Sequence, residues 1–263
     1  MRVTTRWWLT SPALIQFRRA AIERGGSGFK PAQKARVDID TLQGIRACVF
    51  DAYGTLFDVH SAVDRHSERI GTAAAEVSVL WRSKQLQYTW LRSLMGRYTD
   101  FWQVTGDALD YALETHGLTD PSLREDLMQA YLDLACYPEV PAVLAQLQDR
   151  GIACAILSNG SPAMLAAAVD NAGLAGAFAA VLSVDEIGIY KPDPQVYRLA
   201  VERLQLAPEE ISFQSSNAWD AVGAAAFGLQ VVWVNRFGQR SERLGVCPDR
   251  ELATLASLPE MLG

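Results

Sequence analysis

Five short apolar runs, at 47–50, 153–157, 178–183, 211–214 and 231–234, limit what this chain of 263 residues can fold into. Each is closed by polar or turn-forming residues. Runs of that length bounded by turn signals read as strands buried on both faces. The intervals after 137 read as helices: 140–148 stopped by Arg150-Gly151, 163–171 ending near Gly173, one holding Tyr197, and an Ala/Gly-rich one after Asp220. Alternating strands and helices define an α/β protein with a Rossmann-like parallel sheet covered on both faces. Ligands of such sheets sit outside the carboxyl ends of the strands. The polar clusters fall there: Asp51 with Gly54 and Thr55, Ser158-Asn159, Lys191-Pro192, and Ser215 to Asp220. Asp51 at the end of its strand can be a nucleophile, a metal ligand or a cap on the following turn. Convergence of the other clusters on the same edge favours chemistry.

Between 59 and 137 no convincing strand is found. Trp81, Leu86, Trp90, Leu94 and Tyr98 recur at four- and five-residue spacing, as on one long amphipathic helix. Two more helices are expected around Tyr111–Leu113 and from Leu123 to Leu134, with Gly117 and Pro121 between them. A helical block inserted after the first strand makes a lid over the site. The expected division is therefore a core of 44–58 and 138–263, with a helical cap of 59–137.

Residues 1–43 differ from the rest, with eight Lys and Arg against three Asp and Glu, a net of +5. The remainder carries −11, and the whole chain −6 with a pI near 5.2. Such a balance argues against a nucleic-acid partner. The Trp7-Trp8-Leu9 group is broken by Thr10, Ser11 and Pro12 before a signal-peptide core can form. We read 1–43 as a basic, flexible extension without catalytic role, with a short helix around 13–24. No apolar run approaches the roughly 18 residues that span a bilayer, so no membrane partner is expected. The cysteines at 48, 136, 154 and 247 show no CxxC pair or metal spacing, which suits a reducing, cytoplasmic setting.

From about residue 45 onward, these separated motifs in this order resemble those of the haloacid dehalogenase superfamily. The resemblance implies that Asp51 is a covalent nucleophile. Phosphatases of the superfamily carry a second Asp two residues further on, where this chain has Tyr53. Their fourth motif holds magnesium with further acidic residues, where this chain reads Ser215-Ser216-Asn217 before Asp220. Hydroxyls and an amide beside two carboxylates make a poor cation site. No metal or cofactor is expected.

The chain is more similar to the L-2-haloacid dehalogenases, through 50–58, Trp81-Arg82, Gln85-Leu86, 88–98 and 215–220. That resemblance implies hydrolysis of short L-2-haloalkanoates to D-2-hydroxy acids. Asp51 attacks C2 with inversion, and water then hydrolyses the ester. Asp220, assisted by Asn217, orients or deprotonates that water. Lys191 keeps Asp51 ionised and positioned, and Tyr197 bonds near Lys191 or Asp51. Thr55 orients Asp51, while Ser158 binds the substrate carboxylate; Ser215 is the remaining small hydroxyl of the site. Any of these hydroxyls can instead cap a helix. Arg82 and Asn159 receive the halide, and Tyr53, Leu86, Phe101 and Trp219 wall the alkyl group. Ser83 stands where relatives usually have Gln, which bears on halogen preference. Dimerisation through the lid helices is also implied. The rival readings are a magnesium-dependent small-molecule phosphatase and a non-catalytic binding protein on the same fold.

Overall fold

The computed structural model describes residues 41–262. The expected basic extension and its short helix lie outside the described residues, apart from 41–43. Strand β1 (Ala47–Phe50) is fully buried and stands inside a six-stranded sheet. Around it run β4 (Ala153–Ser158), β5 (Ala180–Ser183), β6 (Ile211–Ser215), β7 (Gln230–Val234) and β8 (Arg250–Leu252), in the order β5-β4-β1-β6-β7-β8. Every pairing in it is parallel. Strand order reverses at β1, and a crevice opens at such a switch point beyond the carboxyl ends. The fold is the expected α/β class.

Helices α6 (Val140–Asp149), α7 (Pro162–Asn171), α8 (Pro194–Leu204) and α9 (Ala218–Phe227) cover the sheet, and α10 (Leu258–Met261) closes the described chain. Two of them begin with a proline preceded by a capping side chain. Ser161 accepts the Met164 N–H and Asp193 accepts the Gln195 N–H. The motif loops therefore run straight into helix N-termini at the carboxyl edge of the sheet.

Between β1 and β4 the chain forms β2 (Phe57–Asp58), α1 (Ser61–Asp64), α2 (Ser67–Ile70), α3 (Ala74–Leu94), α4 (Phe101–Thr115), α5 (Pro121–Leu132) and β3 (Ala135–Cys136). Strands β2 and β3 pair antiparallel where the chain leaves and re-enters the sheet layer. The sequence reading allows no strand at β3, because two residues carry no periodicity. Tyr190 ties the helices to the sheet end, its hydroxyl donating to the Thr99 carbonyl at 2.6 Å.

Helix α3 differs from expectation in its face and its end. Its buried line is Val77, Trp81, Gln85 and Thr89, at strict four-residue spacing. Leu86 and Trp90 are half-buried, Leu94 is 85% exposed, and Tyr98 lies beyond the last turn. The helix packs on α4 through polar as well as apolar side chains, so hydropathy misplaces its inner face. Strand β8, at the sheet edge, has no counterpart in the sequence reading.

Candidate active site

Asp51 follows the last residue of β1, and its N–H is held by the Gln214 carbonyl of β6 at 2.9 Å. The chain then folds back sharply, Leu56 and Phe57 both donating to the Ala52 carbonyl. Gly54 makes this possible with φ of +90°, and a Cβ there would lie 3.0 Å from the Ser216 hydroxyl. Asp51 is 5% exposed at the bottom of the resulting cup.

Three side chains hold its carboxylate. Lys191 Nζ donates to Oδ1 at 3.0 Å, Asn217 Nδ2 to Oδ2 at 2.8 Å, and the Thr55 hydroxyl to Oδ2 at 3.3 Å. Thr55 is itself fixed by the Ser216 N–H, which reaches its Oγ1 at 2.8 Å. Lys191 also donates to Asp220 Oδ2 at 2.9 Å, so one ammonium bridges two carboxylates with no access to bulk water. Burial alone would push that ammonium's pKa down. The charges of Asp220 and Asp51 outweigh it and raise the value. Asp220 goes up through burial, opposed by Lys191 and by the Tyr197 hydroxyl, which donates to its Oδ1 at 2.8 Å.

The other expected residues sort by contact. Tyr197 reaches Asp220, the carboxylate that Lys191 also holds, and so stands beside the lysine, behind the second carboxylate. Asn159 Oδ1 accepts the Lys191 backbone N–H at 3.1 Å, so it sets the lysine's position from the main chain. Ser158 accepts from the Gly160 N–H and Ser215 from the Asn217 N–H; both hydroxyls are engaged in their own loops. Arg82 comes down from α3, its Nη2 donating to Asn217 Oδ1 at 3.1 Å and lying 3.5 Å from the Tyr53 carbonyl.

The apolar wall has a tight centre. Tyr53 stacks on Tyr131 at 5.6 Å between centroids and meets Phe101 at 5.7 Å. Its ring lies so close to the β4–α7 loop that a Cβ on Gly160 would come within 2.6 Å of it. The buried Tyr53 hydroxyl has no protein partner among the described residues, and burial raises its pKa. Trp219 packs edge-on against Trp90 at 5.3 Å, and Leu86 is half-buried on the same helix as Trp90.

Sequence reasoning named Ser216 and Gln85 only as motif residues without a site role, and Thr105 and Tyr131 not at all. Gln85 is 1% exposed and takes the Arg82 Nη1 donor on its Oε1 at 2.6 Å. The available signal was its position four residues after Trp81, a polar side chain on a core line.

The donor set does not fit a resident cation. The groups turned toward Asp51 are an ammonium, an amide N–H and a hydroxyl, and the Asn217 oxygen faces Arg82 instead. Among the described residues no cluster of three or more His, Cys, Asp or Glu could hold a metal. A cup lined by donors suits an anionic substrate and a leaving anion.

A parallel sheet with this carboxylate at its switch point and a helical layer above defines a class of hydrolase. The family model for haloacid dehalogenase-like hydrolases matches residues 45–228, and the chain belongs to that family. Within it, the chain is 49% identical over 222 residues to (S)-2-haloacid dehalogenase 1 of Pseudomonas sp. strain CBS-3, spanning 84% of this chain and 98% of that one. It is 50% identical over 224 residues to the (S)-2-haloacid dehalogenase of Pseudomonas sp. strain YL, spanning 85% and 95%. The solved L-2-haloacid dehalogenase of Xanthobacter autotrophicus with chloropropionic acid covalently bound superposes with a TM-score of 0.78 at 42% identity, over 82% and 98%.

Proposed function

We propose that this protein hydrolyses short L-2-haloalkanoic acids to D-2-hydroxy acids through an Asp51 ester, without a metal. The observation that carries the reading is the donor-only surround of Asp51, with Tyr53 where a phosphatase needs an acid. A carboxylate held at both oxygens is aimed for attack. Asp51 Oδ attacks C2 opposite the halogen, the carbon–halogen electron pair leaves with the halide, and the configuration inverts. Arg82, with Asn159, receives the halide, while Tyr53, Leu86, Phe101 and Trp219 keep the alkyl group dry. The substrate carboxylate binds at the N-terminal turn of α7, near Ser158.

Water then attacks the Asp51 carbonyl carbon. Asp220 takes its proton and returns it to the departing alkoxide oxygen as the bond from that oxygen to the Asp51 acyl carbon breaks, releasing the hydroxy acid. Asp51 is regenerated as its carboxylate with loss of one proton to solvent. Asp220 suits this step because burial raises its basicity while Tyr197 and Lys191 hold it in place. The covalent adduct named for the Xanthobacter relative supports the ester.

Halide release from L- and D-2-chloropropionate in EDTA, beside p-nitrophenyl phosphate with magnesium, tests the reading. Release from the L form alone, with D-lactate formed and one ester mass trapped on Asp51, is the expected result. Silence on both haloacids with phosphate released would return the chain to the phosphatases.

A homodimer in a reducing cytoplasm completes the proposal. The end of α3 offers Leu94 and Met95, 85% and 61% exposed, and light scattering of Leu94→Glu checks it. Among the described residues no helix is long and apolar enough to cross a membrane.

A further inference from the structure

A buried polar chain ends on Arg82, and its direction follows from one fixed end. The Phe101 carbonyl can only accept, so the Thr105 hydroxyl, 2.6 Å away, gives its proton there. Thr105 Oγ1 is left as an acceptor, and the donor that reaches it at 2.8 Å is Gln85 Nε2. The amide plane then turns Gln85 Oε1 the other way. It accepts from Arg82 Nη1 at 2.6 Å and from the Tyr131 hydroxyl at 3.1 Å. Gln85 is 1% exposed and Thr105 fully buried, so bulk water does not compete for these bonds.

The partners of Arg82 share one property. Gln85 Oε1, Asn217 Oδ1 and the Tyr53 carbonyl are all neutral oxygens. Neutral acceptors fix a guanidinium without cancelling its charge. A carboxylate in the same place would form a charge-assisted pair and spend that charge. An aliphatic side chain would leave the arginine loose and the Tyr131 hydroxyl unpaired.

We propose that Gln85 is a positioning residue, held by Thr105, whose neutral carbonyl orients Arg82 while leaving its charge for the departing halide. The proposal rests on the halide role given to Arg82 above. It makes α4 part of the leaving-group machinery, because the chain of bonds starts at Phe101, a residue of the substrate wall.

The test measures product inhibition by bromide and the kcat ratio of 2-bromo- to 2-chloropropionate for Gln85→Glu, Thr105→Val and Arg82→Lys, with thermal melts as a folding check. Gln85→Glu is expected to weaken bromide inhibition at least about tenfold, the cost of one charge-assisted hydrogen bond. It also slows the chloro substrate more than the bromo one, since chloride needs more help to leave. Thr105→Val keeps the shape, frees the amide to turn, and shifts both readouts the same way by less. It decides the matter if the Gln85 variant does not fold. A merely structural role would lower the rate on both substrates alike and leave bromide inhibition unchanged, and that result overturns the proposal. If Arg82→Lys changes the readouts while the other two do not, the proposal falls and the halide role of Arg82 stands. If Arg82→Lys changes neither, both fall together.

Discussion

Asn217 donates its amide N–H to Asp51 Oδ2 at 2.8 Å while its oxygen accepts a hydrogen bond from Arg82 at 3.1 Å. One neutral group thus joins the attacking carboxylate to the guanidinium, its dipole aligned with both charges. Asn217→Asp would set a second carboxylate against Asp51, and like charges at that distance resist ionising together. Halide release at neutral pH is expected to fall by about a hundredfold or more, as when a preorganised donor is lost. The acid limb of the pH–rate profile for ester formation moves upward. A profile that kept its rate and its limb would show that the amide is incidental.

Asp220 and Lys191 give the site opposite limbs. The Asp220 pKa is raised above its ordinary 3.8, by burial first, and ester hydrolysis needs this group ionised. The acid limb of single-turnover hydrolysis is therefore expected above that value. Tyr197→Phe removes a hydrogen bond that favours the charged form, so the limb moves further up. For stability, the raised Lys191 pKa contributes fully below the ordinary 10.5 and is lost only as pH rises through the higher folded value. No alkaline loss of activity traceable to Lys191 is expected below about pH 10. Stopped-flow hydrolysis of preformed ester against pH measures both limbs.

The strands of the sheet interior and the loops after them were legible because burial on both faces writes continuous apolar runs. Strand β8 was not, since Arg250, Glu251 and Leu252 form a short edge strand beside β7 whose polar side chains write no apolar run. The face of α3 was misplaced for a related reason. Gln85 and Thr89 are buried by hydrogen bonding to neighbours distant in sequence or to the preceding turn, which hydropathy scores as exposure. Asp51, Lys191 and Asp220 could be named from their motifs. That Tyr197 stands behind Asp220 depends on how α8 packs on α9, and no spacing in the sequence encodes that packing.

Gly223 shows how closely those helices meet. A Cβ there would lie 2.5 Å from the Tyr197 hydroxyl and 2.7 Å from Pro192 Cβ. Gly223→Ala must displace both, at a cost of about 1–3 kcal/mol in stability. Moving Tyr197 withdraws support from Asp220 and leaves Asp51 untouched. Hydrolysis is then expected to slow more than ester formation. Mass spectrometry of acid-quenched enzyme should find a larger adduct fraction on Asp51 than in the parent. An unchanged fraction would mean that Tyr197 has no part in the second step.

Arg236 braces the same loop from behind. Its Nη2 donates to the Thr55 carbonyl at 2.8 Å and its Nη1 to Glu139 at 2.6 Å, with the guanidinium 3.7 Å from the Tyr137 ring centre. It therefore links the nucleophile turn, the returning linker at Tyr137 and the start of α6. Arg236→Met leaves Glu139 without its ion pair in a site where the partners are only 7% and 18% exposed. The expected loss is about 3 kcal/mol, or roughly 6–12 °C in Tm for a chain of this size. Arg236→Lys restores the charge but not the planar fork that reaches both acceptors, so it should recover less than half. Because Thr55 also touches Asp51, kcat should drop in folded Arg236→Lys while KM changes little. A lysine variant with full Tm and full kcat would reduce the contact to simple charge neutralisation.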